Sequence, residues 1–206
     1  MNSAPDQLKQ NDLRLRLLGF LPLIFFLAQA IHYWRINELG NMLWMCNIGN
    51  LVLALGLFLK RSLLVRVAAI WMVPGLVVWF IYVVLAWGIF LSSTLAHLGG
   101  FVVSVVAVQR MRMDRVSWLY ALGWYFIVQL LSRLFTAAAL NVNLAHAVQP
   151  GWQQTFNSYW KFWAVLLLVA IVLLAGLNLV FYKLWPERPS ESRLTSANTD
   201  ARAILR

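Results

Sequence analysis

The chain has few charged residues, and most of those are positive. Only 12% of its 206 residues are Asp, Glu, Lys or Arg, with 7 acids against 17 bases, whereas soluble domains carry about 25% charged residues. Hydrophobic residues make up 62% of the sequence, which is more than a soluble core can bury. The shortage of charge therefore excludes a soluble domain and predicts an all-α integral membrane protein.

Other absences exclude classes of chemistry. The single cysteine, Cys46, excludes an intramolecular disulfide and a cysteine-rich metal site. The apolar segments contain no carboxylate, so they cannot hold a paired general acid and base. No phosphate-binding loop, dinucleotide fingerprint, metal-ligand spacing or internal repeat is present, and we expect no cofactor. The net charge of +10 falls in short loops and tails, which favours membrane lipid as a partner over nucleic acid.

Six apolar segments are each near the ~20 residues that a membrane-spanning helix needs. Their approximate bounds are Arg14–Trp34, Met42–Leu59, Val67–Phe90, Ser92–Gln109, Val116–Leu140 and Trp160–Leu184. A polar N-terminal segment, 1–13, precedes the transmembrane domain, 14–185. The tail, 186–206, is rich in Ser, Arg and Glu and is predicted to be disordered and cytoplasmic. The small residues at Ala28–Ala30 resemble the cleavage site of a signal peptide. The acidic residues before the first apolar segment count against that interpretation.

Lys and Arg concentrate in alternate loops and in the two tails. On this side are Lys9, Arg14, Arg16, Lys60, Arg61, Arg66, Arg110, Arg112, Arg115, Lys183, Arg188, Arg193, Arg202 and Arg206. The opposite loops hold only Arg35 and Lys161. This alternation follows the positive-inside rule and predicts a six-transmembrane-helix bundle with both termini cytoplasmic.

Ten polar side chains are predicted to line a pocket in the outer half of the bundle. They are Cys46, Asn47, Asn50, Ser93, Thr94, His97, Gln129, Arg133, Asn141 and Asn143. Cys46, Asn47 and Asn50 are spaced by three and four residues and share one helix face. At 1.5 Å per residue, Cys46 lies about 6 Å below the outer boundary, His97 about 7–8 Å and Arg133 about 10 Å. We therefore expect these groups to meet at one level of the outer leaflet.

Cys46 and His97 are the candidate catalytic pair, because a thiol nucleophile needs a base within reach. Cys46 is also compatible with a small core residue, and His97 with a hydrogen bond between helices. Arg133 is a candidate anchor for a lipid carboxylate or phosphate, or an oxyanion stabiliser. One alternative is an aliphatic stem in the membrane with the guanidinium among the outer headgroups. Another is a hydrogen-bonding role within or between helices.

The remaining residues of the predicted pocket have structural alternatives as well. Asn47 and Asn50 are candidate oxyanion donors or hydrogen bonds between helices. Ser93–Thr94 would contact substrate or bond to their own helix backbone. Asn141–Asn143 would contact substrate or form the turn after the fifth segment.

Three short motifs carry a resemblance to a known family. LWMCN at 43–47, SSTLAH ending at His97, and the pair Asn141 and Asn143 before a Trp-rich last helix resemble an uncharacterised bacterial family of six-helix integral membrane proteins. The resemblance covers about residues 40–184 and implies a bacterial inner-membrane location without an established activity. More distantly, the layout is similar to the androgen-induced membrane hydrolases and related transmembrane acyltransferases. That similarity implies a nucleophile at Cys46 and a base at His97.

Two functions of different classes follow from these patterns. The first is lipid acyl transfer or ester hydrolysis, in which Cys46 attacks an acyl carbonyl and His97 takes the thiol proton. The second is a non-catalytic lipid-binding protein, scaffold or partner subunit, in which the polar residues hold helices together. Transport is disfavoured, because polar residues are scarce in the inner half, where Asn178 stands nearly alone.

Overall fold

The structure, a computed structural model, describes residues 13–86 and 89–187. Within these residues it is all-helical and contains no β-strand, only an isolated bridge between Met113 and Pro186. The longer helices of the described chain are α1 (Leu13–Arg35), α2 (Met45–Phe58), α3 (Ser62–Ala86), α4 (Leu91–Met111), α5 (Ser117–Phe135) and α6 (Tyr159–Leu184). The all-α prediction is therefore confirmed.

Four of these helices, α1, α3, α4 and α6, are long and apolar enough to cross a membrane by length and composition. α2 is apolar but has only 14 residues, about 21 Å at 1.5 Å per residue, so it falls short of a ~30 Å hydrocarbon core. α5 has 19 residues and contains Gln129 and Arg133. The membrane class is supported, and the number of spans remains a proposal.

Helix boundaries differ from the predicted ones where the backbone turns out of the helical region. α2 begins at Met45 rather than Met42, because Leu39–Leu43 form a short 3-10 helix and Trp44 is extended. α3 begins at Ser62, directly after a tight turn in which Lys60 has a φ of 53°. α5 ends at Phe135 instead of Leu140, because Thr136 is extended with a φ of −116° and a ψ of 151°.

The two ends of the bundle differ in character. We call one the loop end; it contains Leu39–Leu43 and the segment 136–158 between α5 and α6. We call the other the basic end; it contains the turn at 59–61 and the segments 112–116 and 185–187. The apolar core between them centres on α2 and α3, with Leu53, Leu57 and Ile70 fully buried. α6 packs against α5 and α3 and leaves most of its length exposed.

The basic end is held by Arg66, whose side chain is buried in the first turns of α3. Its guanidinium donates to Asp114 Oδ2 at 2.6 Å and Glu187 Oε1 at 2.9 Å, and its Nε donates to Arg112 O at 2.7 Å. Pro186 and Glu187 are therefore fixed to the bundle, although the tail was predicted to be disordered from Pro186. The rest of that tail, 188–206, and most of the polar segment, 1–12, lie outside the described residues.

Asp114 lies in the segment between α4 and α5. Burial alone would raise the pKa of this carboxyl group. Hydrogen bonds from Ser117 and from the backbone N–H group of Val116, together with the charge of Arg66, outweigh burial and hold the pKa of Asp114 below its usual range. The carboxylate is therefore stabilised in its charged form, which maintains the ion pair with Arg66.

Candidate functional site

We use the name polar layer for the ten residues that the sequence predicts as an outer pocket. The structure places all ten in or beside the loop-end turns of α2, α4 and α5. Cys46 is in the first turn of α2, and Arg133 is in the last turn of α5. Since α5 ends at Phe135, Arg133 is two residues from the helix end, about 3 Å rather than the predicted ~10 Å.

Asn143 connects the polar layer across three parts of the chain. Its Nδ2 donates to Leu43 O at 2.7 Å and to Ser132 Oγ at 2.9 Å, and its Oδ1 accepts from Met45 N at 3.0 Å. The Met45 N–H is one of the groups at the start of α2 that have no partner within the helix. Asn143 therefore caps α2 from a segment nearly a hundred residues away.

The left-handed backbone explains why asparagine stands at both ends of the Asn141–Asn143 motif. Asn141 has a φ of 42° and Asn143 a φ of 52°, and asparagine adopts this region more readily than most residues. Asn141 Oδ1 also accepts from the N–H groups of His146 and Ala147, at 3.1 and 3.0 Å. This geometry matches the alternative in which Asn141 and Asn143 form the turn after the fifth apolar segment, and both side chains bond within the protein.

Gln129 and Arg133 of α5 bond to the same loop. Gln129 Nε2 donates to Asn143 O at 2.6 Å, and Arg133 Nη1 donates to Ala145 O at 3.0 Å. The Arg133 guanidinium also lies over the rings of Tyr159 and Trp160, at 5.3 and 5.8 Å from their centroids. Arg133 is exposed rather than buried, and its guanidinium bonds to the loop and packs on α6 within the described chain.

Asn47 and Asn50 are buried and donate to main-chain carbonyl groups. Asn47 Nδ2 donates to Asn41 O at 2.9 Å, and Asn50 Nδ2 donates to Cys46 O at 3.0 Å and Ala96 O at 2.9 Å. Asn50 thus links α2 to α4 through a hydrogen bond between helices. Neither amide oxygen has a hydrogen-bond partner within the described chain.

His97 lies in a π-helical turn of α4, Leu95–Gly99. Its Nδ1 is 2.8 Å from Ser93 O, and because a carbonyl oxygen only accepts, Nδ1 carries the proton and Nε2 the lone pair. The imidazole stacks on Trp79 of α3 at 5.6 Å between centroids. Ser93 Oγ is 3.4 Å from the same Nδ1, and Thr94 Oγ1 donates to Phe90 O at 3.1 Å.

Cys46 is partly buried and packs against α3. A methyl group added at Gly75 would lie 3.0 Å from the Cys46 Cβ, so the two helices approach closely at this point. Trp79, the ring that stacks on His97, is one helical turn beyond Gly75. Cys46 and His97 therefore lie against the same face of α3. The side-chain amide of Asn50 donates to the carbonyl groups of both Cys46 and Ala96, the residue before His97.

The polar layer thus divides into two groups. Cys46, Asn50 and His97 belong to the junction of α2, α3 and α4, with Ser93 and Thr94 on the same turns of α4. Asn47, also on α2, bonds to Asn41 O just before that helix. Arg133 belongs to the junction of α5 with the segment 136–158, together with Gln129 and Asn141. Asn143 connects the second group to the start of α2. The contacts of Arg133 described here are with Ala145 of that segment and with Tyr159 and Trp160 at the start of α6.

Several residues of this region were missed by the sequence reasoning. Ser132 is fully buried beneath Asn143, and Tyr159 donates from its hydroxyl group to Ala145 O at 2.7 Å. Trp79 supplies the ring against His97, although nothing in the spacing of α3 distinguishes it from other apolar positions. Arg66 was interpreted only as one of the charges that set the membrane topology. The signal that could have shown its role is the scarcity of acidic residues, because two of the few, Asp114 and Glu187, lie directly beside apolar segments.

The chain has few groups suited to a metal ion. Within residues 13–86 and 89–187, no three His, Cys, Asp or Glu side chains are close enough to hold one. The described side chains of the polar layer supply hydrogen bonds, one thiol and one imidazole.

A groove of about 400 Å³ lies at the basic end, away from the polar layer. We call it the basic groove; its walls include Arg115, Trp118, Asn178, Leu179, Tyr182 and Lys183. Asn178, which the sequence left almost alone in the inner half, is buried in this wall and donates from Nδ2 to Asp114 O at 3.1 Å.

Comparison with known proteins gives no relative from which to transfer a function. No protein-family model matches the chain, and searches of curated proteins and of solved structures found no match.

Proposed function

We propose that this chain is a non-catalytic, multi-pass membrane protein that acts as a scaffold or partner subunit, with a polar layer that fixes its helices. The observation that supports this role is the direction of the polar hydrogen bonds. Asn143, Asn50, Gln129 and Arg133 all donate to main-chain carbonyl groups of other segments. Side chains engaged in this way hold helices and loops together, because exchanging these bonds for bonds to a substrate would release the segments they hold.

The proposed topology has six spans, with both termini cytoplasmic in a bacterial inner membrane. The basic end faces the cytoplasm in this proposal, because it holds the Lys- and Arg-rich segments. α2 and α5 would cross together with the four longer helices. The 3-10 helix at Leu39–Leu43 and the loop-end segment 136–158 would complete the outer half where α2 is short.

The topology can be tested with single cysteines introduced into a Cys46→Ala background. We expect a membrane-impermeant maleimide added to intact spheroplasts to label cysteines at Asn37 and Gln153, and to leave one at Arg61 unlabelled until the membrane is permeabilised. Labelling of Arg61→Cys in intact spheroplasts would contradict the proposed orientation.

A second candidate, acyl transfer or ester hydrolysis at Cys46, is favoured by a specific observation. His97 has its Nε2 lone pair available, since Nδ1 donates to Ser93 O, and Asn50 holds the backbone of Cys46 close to that of Ala96. In this candidate His97 Nε2 would take the proton of the Cys46 thiol as the sulfur attacks the acyl carbonyl of a lipid ester. The ester C–O bond breaks, a thioester forms on Cys46, and the departing lipid alcohol takes the proton from His97. The layout similarity to the androgen-induced membrane hydrolases suggests the same pair of roles.

One activity experiment separates the two candidates. Purified protein in lipid nanodiscs is incubated with a bacterial lipid extract, and the products are followed by mass spectrometry for wild type, Cys46→Ala and His97→Gln. The scaffold proposal expects no lipid turnover by any of the three. Turnover by wild type that both variants lose would replace it with the acyl-transfer candidate.

A further inference from the structure

The basic groove combines cationic and aromatic side chains at one edge of the apolar surface. It lies between the first turn of α5 and the last turns of α6. The Arg115 guanidinium is 5.0 Å from the Tyr182 ring centroid, so this ring orients the charge. A volume of about 400 Å³ is within the range of pockets that hold small molecules or headgroups.

The groove retains its positive charge because the neighbouring acids are paired elsewhere. Asp114 and Glu187 both accept from the Arg66 guanidinium, at 2.6 and 2.9 Å. Arg115 and Lys183 are exposed, and neither has a carboxylate partner in the part of the chain that the structure describes. Two unneutralised cations on one wall favour an anionic ligand.

Asn178 shows that a polar partner is missing at this wall. It is 3% exposed, and its Oδ1 has no hydrogen-bond partner within the described residues. Buried polar atoms are nearly always paired in folded proteins, and an amide oxygen only accepts, so this atom calls for a hydrogen-bond donor, such as a hydroxyl group of a lipid headgroup, from outside the described residues.

The surface around the groove favours an amphiphile over a free ion. Leu179 lines the groove and is 52% exposed, and along α6 Val172 is 65% exposed. These side chains form a continuous apolar surface running from the basic end toward the middle of the bundle. A ligand with a charged head and acyl chains would contact both the groove and this surface.

We propose that the basic groove binds the phosphodiester headgroup of an anionic phospholipid, whose acyl chains lie along α6. Arg115 and Lys183 contact the phosphate, and Trp118 and Tyr182 flank the headgroup region as interfacial aromatic residues do. This site is independent of the polar layer at the opposite end, and it stands whether or not Cys46 has a chemical role.

The test measures which lipids stay bound to the full-length protein. Protein in nanodiscs of equal phosphatidylglycerol and phosphatidylcholine is released in a native mass spectrometer, and the retained lipids are identified. We expect wild type to retain phosphatidylglycerol preferentially. Arg115→Gln/Lys183→Gln should reduce that preference by roughly 100-fold, since the loss of each charge-assisted hydrogen bond to the phosphate costs about tenfold in affinity.

Two matched variants and a competitor make the result decisive. Arg61→Gln/Arg110→Gln removes the same charge from the basic end outside the groove and should keep the preference, as should the charge-preserving Arg115→Lys/Lys183→Arg. Equal loss in the Arg61/Arg110 control would overturn the site in favour of general surface attraction. Displacement of the retained lipid by inorganic phosphate would overturn it in favour of a free-phosphate site.

Discussion

Asn143→Ala is the substitution that tests the structural role of the polar layer most severely. Asn143 makes three hydrogen bonds, with Leu43 O, Ser132 Oγ and Met45 N, at 2.7, 2.9 and 3.0 Å. Alanine removes all three while the backbone still has to adopt a φ of 52°. The substitution therefore releases the start of α2 from the end of α5.

The expected loss of stability follows from these contacts. Each hydrogen bond contributes a net ~1 kcal/mol, which gives roughly 3 kcal/mol for the three. A left-handed backbone costs alanine about 1 kcal/mol. We therefore expect the free energy of unfolding to fall by about 4 kcal/mol, which corresponds to a Tm lower by roughly 8–16 °C for a chain of this size.

The assay is thermal unfolding in detergent or nanodiscs, followed by near-UV circular dichroism of the many tryptophans. Asn37→Ala is the matched control, because Asn37 has a φ of 57° and the structure gives its side chain no hydrogen bond. We expect this control to lose about 1 kcal/mol, the backbone contribution alone. If Asn143→Ala were no less stable than Asn37→Ala, the polar layer would not hold the helices as we argue.

Two further predictions concern the basic end and the helix contacts. Because the pKa of Asp114 is lower in the folded than in the unfolded chain, its stabilising contribution is complete above the unfolded value of about 3.9 and is lost as the pH falls through the folded value. The Tm should therefore drop in acid, and Asp114→Asn should flatten that drop; an unchanged acid profile would contradict the ion pair with Arg66. Gly100→Ala would place a Cβ in steric conflict with Asn50 Oδ1, whereas one at Gly123 meets nothing within 4 Å. We expect the first to destabilise the protein by about 1–3 kcal/mol and the second to be neutral or slightly stabilising in the same unfolding assay; equal effects would argue against the α2–α4 contact.

Sequence reasoning located the helices well and their ends less well. The apolar segments are long, and their hydrophobicity identifies them without tertiary information. The ends depend on single backbone conformations: Thr136 is extended and stops α5, and Lys60 turns before α3. Residues 137–140 after Thr136 are apolar, so hydropathy alone did not reveal the end of α5. The charges at Lys60, Arg61 and Arg66 instead moved the predicted start of α3 to Val67.

The candidate site was predicted at the level of position but not of contact. Cys46, His97 and Arg133 all lie in turns near the loop end, as the alternation of loops implied. Which neighbour each side chain meets depends on helix rotation and on the irregular segment after α5. The turn at Asn141–Asn143 brings Ala145 O within reach of Arg133, and no periodicity in the sequence predicts that approach.

The central claim is that the polar layer holds the protein together and performs no covalent chemistry. The most direct measurement is the intact mass of the protein after incubation with bacterial lipids, with hydroxylamine-sensitive adducts mapped by peptide sequencing. Our account predicts the unmodified mass in wild type and in His97→Gln. An acyl group on Cys46 that appears in wild type and is lost in His97→Gln would contradict it.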